Sequence, residues 1–385
     1  MNREVPSLPK ARNNSLTSLS PHHSPIGVPI AMLKNMKVGN PKEWTVLCYL
    51  NGHGNQQSEV DRSVRDLERV GSTDSVDLVT QVAGGEPYYG NYGSHIQKSK
   101  LLGMVPTSRS IPSPQESDPA SPSRLAESII QTAEAYPSKH LMVVMGGHGG
   151  AFQGLMPNSQ TGERMSLEGL KTALNAAKQA LGRPIDMLVM DSCLMGSVET
   201  AHAVKDSVRY LAASEEIVLS NNLRYDKLAK GLQGADTEGA IEAVMEARNN
   251  KSLSTASVVD CSRMDELVSR MKPFAMSVDT VEAADAQHFR QPKVLKRVGS
   301  PDRPSTLSDM RDLSDLAGRA GDAELARFVK EEVVVRHAHG EGQGLDDSHG
   351  LSIYAPSGEP VESYRESGFA QETGWLINTA HPQRT

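Results

Sequence analysis

The chain has 385 residues, enough for one large α/β domain or two ordinary ones, with 38% hydrophobic and 23% charged residues. A net charge of −7 and an aromatic content of 4% leave neither a basic footprint nor a stacking platform for nucleic acid. Three scattered cysteines, Cys48, Cys193 and Cys261, make no disulfide framework and no Cys-rich zinc site, and no apolar run approaches the ~18 residues of a membrane span.

Residues 1–38, with "PSLPKARNNSLTSLSPHHSPIGVPI", are rich in Ser, Pro and Asn and are expected to be a disordered leader. The leader lacks the charged-then-apolar profile of a signal peptide, so the expected location is the cytoplasm, or outside the cell by a route without a cleavable signal. Four apolar runs then predict buried parallel strands: "WTVLCYL" (44–50), "SVDLVTQV" (75–82), "HLMVVM" (140–145) and "IDMLVMD" (185–191). Between them, helical spacing aligns Val60, Val64, Leu67 and Val70, then Leu125, Ile129, Ile130 and Ala133, then Leu167, Leu170, Leu174 and Leu181. The stretch 88–123 interrupts this alternation with a hairpin-like start and a Pro/Ser-rich end. After the fourth strand come a helix in "GSVETAHAVKDS" and a fifth strand in "VRYLAASEE". Farther on, "TASVVD" (255–260) and "GLSIYAP" (350–356) read as strands, "RMDELVSRMKPFAMSV" as a helix, and 289–309 as a linker or long loop. Alternating strands and helices predict an α/β fold with a mainly parallel central sheet covered on both faces. The expected organisation is the leader, a catalytic domain over 39–250, and a C-terminal region over 251–385 that packs on it.

In such a sheet, reacting groups gather beyond the carboxyl ends of the strands. That rule selects "NGHGN" (51–55), "GGHGG" (146–150), "DSC" (191–193) and "ASEE" (213–216). His148 and Cys193 follow strands expected to be neighbours, and a thiol beside an imidazole is the minimal nucleophile–base pair. The glycines around His148 give a sharp turn and room for a substrate backbone. The Gly149 and Cys193 amides are candidates for an oxyanion hole, and a helix beginning at Cys193 would lower the thiol's pKa. Taken singly, a cysteine at a strand end is more often a small buried hydrophobe, and Cys48 and Cys261 are read that way.

The segments "WTVLCYLNGHGN", "YPSKHLMVVMGGHGG", "IDMLVMDSCLMGSVETAHAVKDSVRYLAASEE" and "GLSIYAP" together resemble the clostripain family of cysteine peptidases, in the caspase-like clan with gingipains, legumain and metacaspases. The resemblance runs in order from about residue 43 onward. It implies a caspase-like α/β/α sandwich with a C-terminal elaboration and a monomeric cysteine endopeptidase acting on protein or peptide substrates. It also implies His148 as the catalytic imidazole, Cys193 as the nucleophile, and Asp191 as the acid of the primary specificity pocket, pairing with a substrate Arg or Lys. Ser214 and Glu215 resemble the segment that meets the substrate backbone as an added strand. The family's self-cleavage after a basic residue points to Arg164–Met165, which looks exposed and flexible in "MPNSQTGERMSLEGLK".

Where relatives carry an acid in a pattern like Asn-Gly-Asp-Asn, this chain has His53, expected as a wall of the specificity pocket. A Cys–His mechanism requires no cofactor. Some relatives need calcium, so calcium stays open, although no EF-hand loop is present. The alternatives are an inactive homologue serving as a protein-binding module and a cysteine hydrolase acting on small molecules. A serine hydrolase or a nucleotide-binding fold lacks its fingerprint here.

Overall fold

The computed structural model describes residues 41–84, 90–100, 107–219, 221–248, 254–277, 309–340, 345–356 and 359–377. The leader and nearly all of the 289–309 stretch lie outside the described residues. Within them, the four apolar runs become β1 (Lys42–Asn51), β2 (Val76–Ala83), β5 (Ser138–Gly146) and β6 (Ile185–Asp191). The hairpin-like region supplies β3 (Tyr92–His95) and β4 (Arg109–Ile111). Farther on come β7 (Val208–Ala213), β8 (Thr255–Asp260) and β10 (Val334–His339). They form one sheet in the order β10-β8-β7-β6-β5-β1-β2-β3-β4. Its middle, β2-β1-β5-β6-β7, is parallel throughout, and the strands outside it run antiparallel to their neighbours.

The central strands are continuously apolar because both faces are covered. On one face Leu47, Val143, Met145, Leu188 and Met190 pack with α2 (Pro122–Ala135), α3 (Leu167–Leu181) and α4 (Val198–Val204). On the other, Val46, Cys48, Val144, Met187 and Val189 pack with α1 (Gln57–Val70), α5 (Tyr225–Gly231) and α6 (Thr237–Ala247). Successive residues of a strand thus feed opposite cores, as the two-residue repeat requires. Ser121, Ser166 and Ser197 start α2, α3 and α4 by accepting a backbone N–H with the side-chain oxygen.

The expected strand in "GLSIYAP" forms as β11 (Ser352–Tyr354), outside the main sheet. It pairs with β9 (Met310–Asp312) in a two-stranded ladder. That ladder braces the start of α4. The Ser352 amide donates to the Gly196 carbonyl at 2.9 Å, and buried Glu199 accepts from the Tyr354 amide at 2.9 Å and the Tyr364 hydroxyl at 2.8 Å. The segment after β6 is thereby held from the C-terminal side.

Leu188 is fully buried at the centre of the sheet. Leu188→Ala should lower the unfolding free energy by about 2–5 kcal/mol, read as a fall in the urea midpoint with an unchanged slope.

Candidate active site

Strands β5 and β6 lie side by side in parallel, with Gly146 opposite Asp191. Two residues beyond that pair the chains carry His148 and Cys193, so one register brings both side chains to the same edge. They line a cavity of about 200 Å³ together with Asn55, Glu59, Asp191 and Val218. The two turns touch. A Cβ on Gly149 would lie 2.6 Å from the Cys193 carbonyl oxygen and 2.9 Å from Met195 Cγ. Gly149 therefore makes room for the loop that carries Cys193 rather than for a substrate backbone.

Cys193 does not open a helix. The chain runs through Ser192–Gly196, with Leu194 at a φ of 63°, before Ser197 caps α4. Three residues separate Cys193 from the cap, so it is not part of the first turn of the helix. Burial instead pushes the thiol pKa up to about 11, partly countered by the Val218 amide. The Val218 N–H donates to Sγ at 3.3 Å, while the thiol sits 3.5 Å from the Val218 carbonyl. The resting sulfur is a neutral thiol held by the backbone beyond β7.

His148 is half-buried, and its Nε2 lies 2.8 Å from Asn55 Oδ1 and 3.2 Å from Gln56 Nε2. Burial first, and the positive charge of Arg164 second, hold its pKa below the usual histidine value. At neutral pH both partners of the expected pair are uncharged.

Asp191 lines the cavity from the end of β6. The Tyr225 hydroxyl donates to its Oδ2 at 3.0 Å, and Arg248 Nη1 lies 3.7 Å from Oδ1. Arg248 is buried and donates from Nη2 to the Met190 carbonyl at 2.9 Å. Burial raises the Asp191 carboxyl pKa against the opposing pull of Arg248 and Tyr225. Glu59 stands on the same cavity wall, accepting from Arg62 at 2.8 Å and from the Asn221 amide at 3.2 Å.

Other expected site residues lie elsewhere. His53 is buried and outside the cavity lining; its Nδ1 accepts from the Ser159 amide at 3.2 Å, tying the β1 loop to the segment after β5. Ser214 and Glu215 are fully buried beneath the cavity. Ser214 faces Thr255, and Glu215 accepts from the Gly350 amide at 2.9 Å. The residues that reach the lining from this segment are Ile217, Val218 and Leu219. Arg164 is exposed as expected, but its setting is not loose. Met165 is buried, and its backbone exchanges hydrogen bonds with Leu155 at 2.8 and 2.9 Å. Among the described residues no group of three or more His, Cys, Asp or Glu side chains converges to hold a metal ion.

No helix among the described residues is long and apolar enough to cross a membrane. The chain is similar in structure to an X-ray structure of an inactive zymogen C11 protease from Parabacteroides distasonis. The TM-score is 0.67 at 16% identity, covering 87% of this chain and 99% of the other. It is similarly related to a secreted C11 cysteine protease of Bacteroides thetaiotaomicron, with a TM-score of 0.68 at 17% identity and coverage of 86% and 99%. A complex of a secreted C11 cysteine protease from that organism with an irreversible peptide inhibitor gives 0.67 at 15%, with coverage of 87% and 99%. At such identities these likenesses speak for the fold, which is the caspase-like sandwich expected. No curated protein matches the chain. A family model described as the clostripain family matches residues 105–373, from before α2 to the end of the last described helix. The chain belongs to the clostripain family of cysteine peptidases.

Proposed function

We propose that the chain is an endopeptidase in which Cys193 is the nucleophile and His148 the acid–base group. The register of β5 against β6 carries this reading, since it delivers both side chains to one cavity. The sulfur attacks the scissile carbonyl carbon and its proton passes to the imidazole. Negative charge then gathers on the former carbonyl oxygen. The Gly149 and Cys193 amides, which donate to no other described residue, support an oxyanion role there. Collapse of the intermediate breaks the C–N bond as the imidazolium gives its proton to the leaving amine. Water then hydrolyses the thioester, returning the thiol and releasing the carboxylic acid.

Because burial keeps the thiol protonated and the imidazole neutral, nucleophile formation belongs to the substrate-bound state. An arriving peptide would displace the Val218 contacts and bring the carbonyl to the sulfur. Asp191 and Glu59 on the cavity wall support a preference for Arg or Lys before the scissile bond, with Arg248 offsetting part of the charge. His53 lies outside the cavity lining with Nδ1 toward Ser159, so the preference rests on Asp191 and Glu59. Self-cleavage at Arg164–Met165 fits the same specificity, and it requires the Met165–Leu155 pairing to open first.

A peptide-library cleavage profile with Cys193→Ala as control should show cuts after Arg or Lys that the variant lacks. No turnover of Arg or Lys substrates would reject this specificity. Wild type should run as two fragments with a new N-terminus at Met165, while Cys193→Ala and Arg164→Ala stay whole. An intact yet active wild type would exclude self-cleavage as a requirement. In the free enzyme, iodoacetamide labelling of Cys193 should be slow at neutral pH and rise as pH approaches about 11. A labelling midpoint below pH 7 would mean that the thiol is ionised at rest.

A further inference from the structure

We infer that Asn55 is the positioning residue for His148: its side-chain oxygen holds the Nε2 proton and leaves Nδ1 as the nitrogen that handles the reaction's proton. The inference rests on the proposed role of His148. Asn55 Oδ1 is 2.8 Å from His148 Nε2 and 3.1 Å from Gln56 Nε2, so one acceptor faces two nitrogens. An acceptor at Nε2 selects the tautomer protonated there. Gln56 Nε2, 3.2 Å from the same ring nitrogen, is a donor and would favour the opposite tautomer, but the Asn55 contact is the shorter by 0.4 Å and sets the proton at Nε2; Nδ1 has no hydrogen-bond partner among the described residues.

Gln56 supplies an independent sign. It occupies the N-cap position of α1, where a side chain ordinarily accepts a backbone N–H of the first turn, yet it makes no capping bond. Its amide nitrogen instead donates to Asn55 Oδ1 at 3.1 Å and lies 3.2 Å from His148 Nε2. The helix start gives up a cap while the two amides set the imidazole. Gly54, at a φ of 71°, lets the loop fold over the ring; a Cβ there would still lie 3.8 Å from Nε2. The remaining titratable and charged groups around the imidazole are Arg164 from the segment after β5, Asp191 at the end of β6, the neutral Cys193 thiol just beyond it, Glu59 and Arg62 on α1, and Glu216 beyond β7. None of them is hydrogen-bonded to the ring. A lock on the tautomer acts on the chemical step and not on substrate capture, so its loss should appear in kcat.

The test measures peptide turnover across pH for wild type, Asn55→Ala, Asn55→Asp and His148→Ala. Asn55 is exposed, so its variants should keep the wild-type thermal unfolding midpoint. Asn55→Ala should lower kcat by about tenfold or more with KM nearly unchanged. A neutral imidazole is needed to accept the thiol proton, so activity falls as pH drops through the His148 pKa. Asn55→Asp puts a carboxylate beside the ring, favours the imidazolium, and should move that acid limb up by about one pH unit. His148→Ala should abolish turnover. If it does, but Asn55→Ala keeps wild-type kcat and Asn55→Asp keeps the wild-type acid limb, the positioning role is overturned while His148 keeps its assignment. If His148→Ala retains turnover, both fail together.

Discussion

The parallel pairing of β5 with β6 is the constraint on which the rest of the molecule depends. Both strands are buried on both faces, so a one-residue slip would exchange the residues of the two cores and is strongly opposed. The same register fixes which residues emerge beyond the sheet and how close they stand. Gly149 removes the last obstacle between the two turns, since any side chain there would collide with the Cys193 carbonyl. Stability and site geometry therefore share one source: the apolar packing that selects the register also selects the pair.

Burial then sets the charge state. It pushes the thiol upward and the imidazole downward, so the resting pair is neutral rather than an ion pair. Arg164 acts in the same direction on His148, which links the proposed cleavage residue electrostatically to the proposed base. The backbone of Val218 occupies the sulfur, and the β11–β9 ladder steadies the start of α4 behind it. The site is a preassembled frame whose reactive groups are held in reserve.

Much of this was legible in the sequence, because strand and helix periodicity reports burial directly. Long apolar runs gave the parallel strands, and position at their ends singled out His148 and Cys193. What escaped has no periodic signature. Asn55 is a polar turn residue whose importance comes from a partner 93 positions away. Val218 acts through its backbone, about which its side chain says nothing. His53 was expected in the pocket because it stands where the resembled family carries an acid, but its Nδ1 accepts from Ser159, 106 positions on, and it lies outside the cavity lining. Ser214 and Glu215 are claimed by Thr255 and Gly350, both from beyond the parallel core. The late start of α4 was readable: Ser197, followed by Glu199 in the first turn, is an ordinary helix-start signal.

The protonated state of the sulfur also bears on how long the protein lasts. Oxidants and stray electrophiles attack thiolate far faster than thiol, and the ladder from sulfenic to sulfonic acid begins with that ionised form. Cys48 and Cys261 are buried deeper still, with thiols pushed higher, and all three cysteines are free. A thiol kept protonated at rest reacts slowly with oxidants, so the burial that quiets the proposed nucleophile also slows its chemical loss. The packing around the sulfur thus governs its chemical durability as well as its charge.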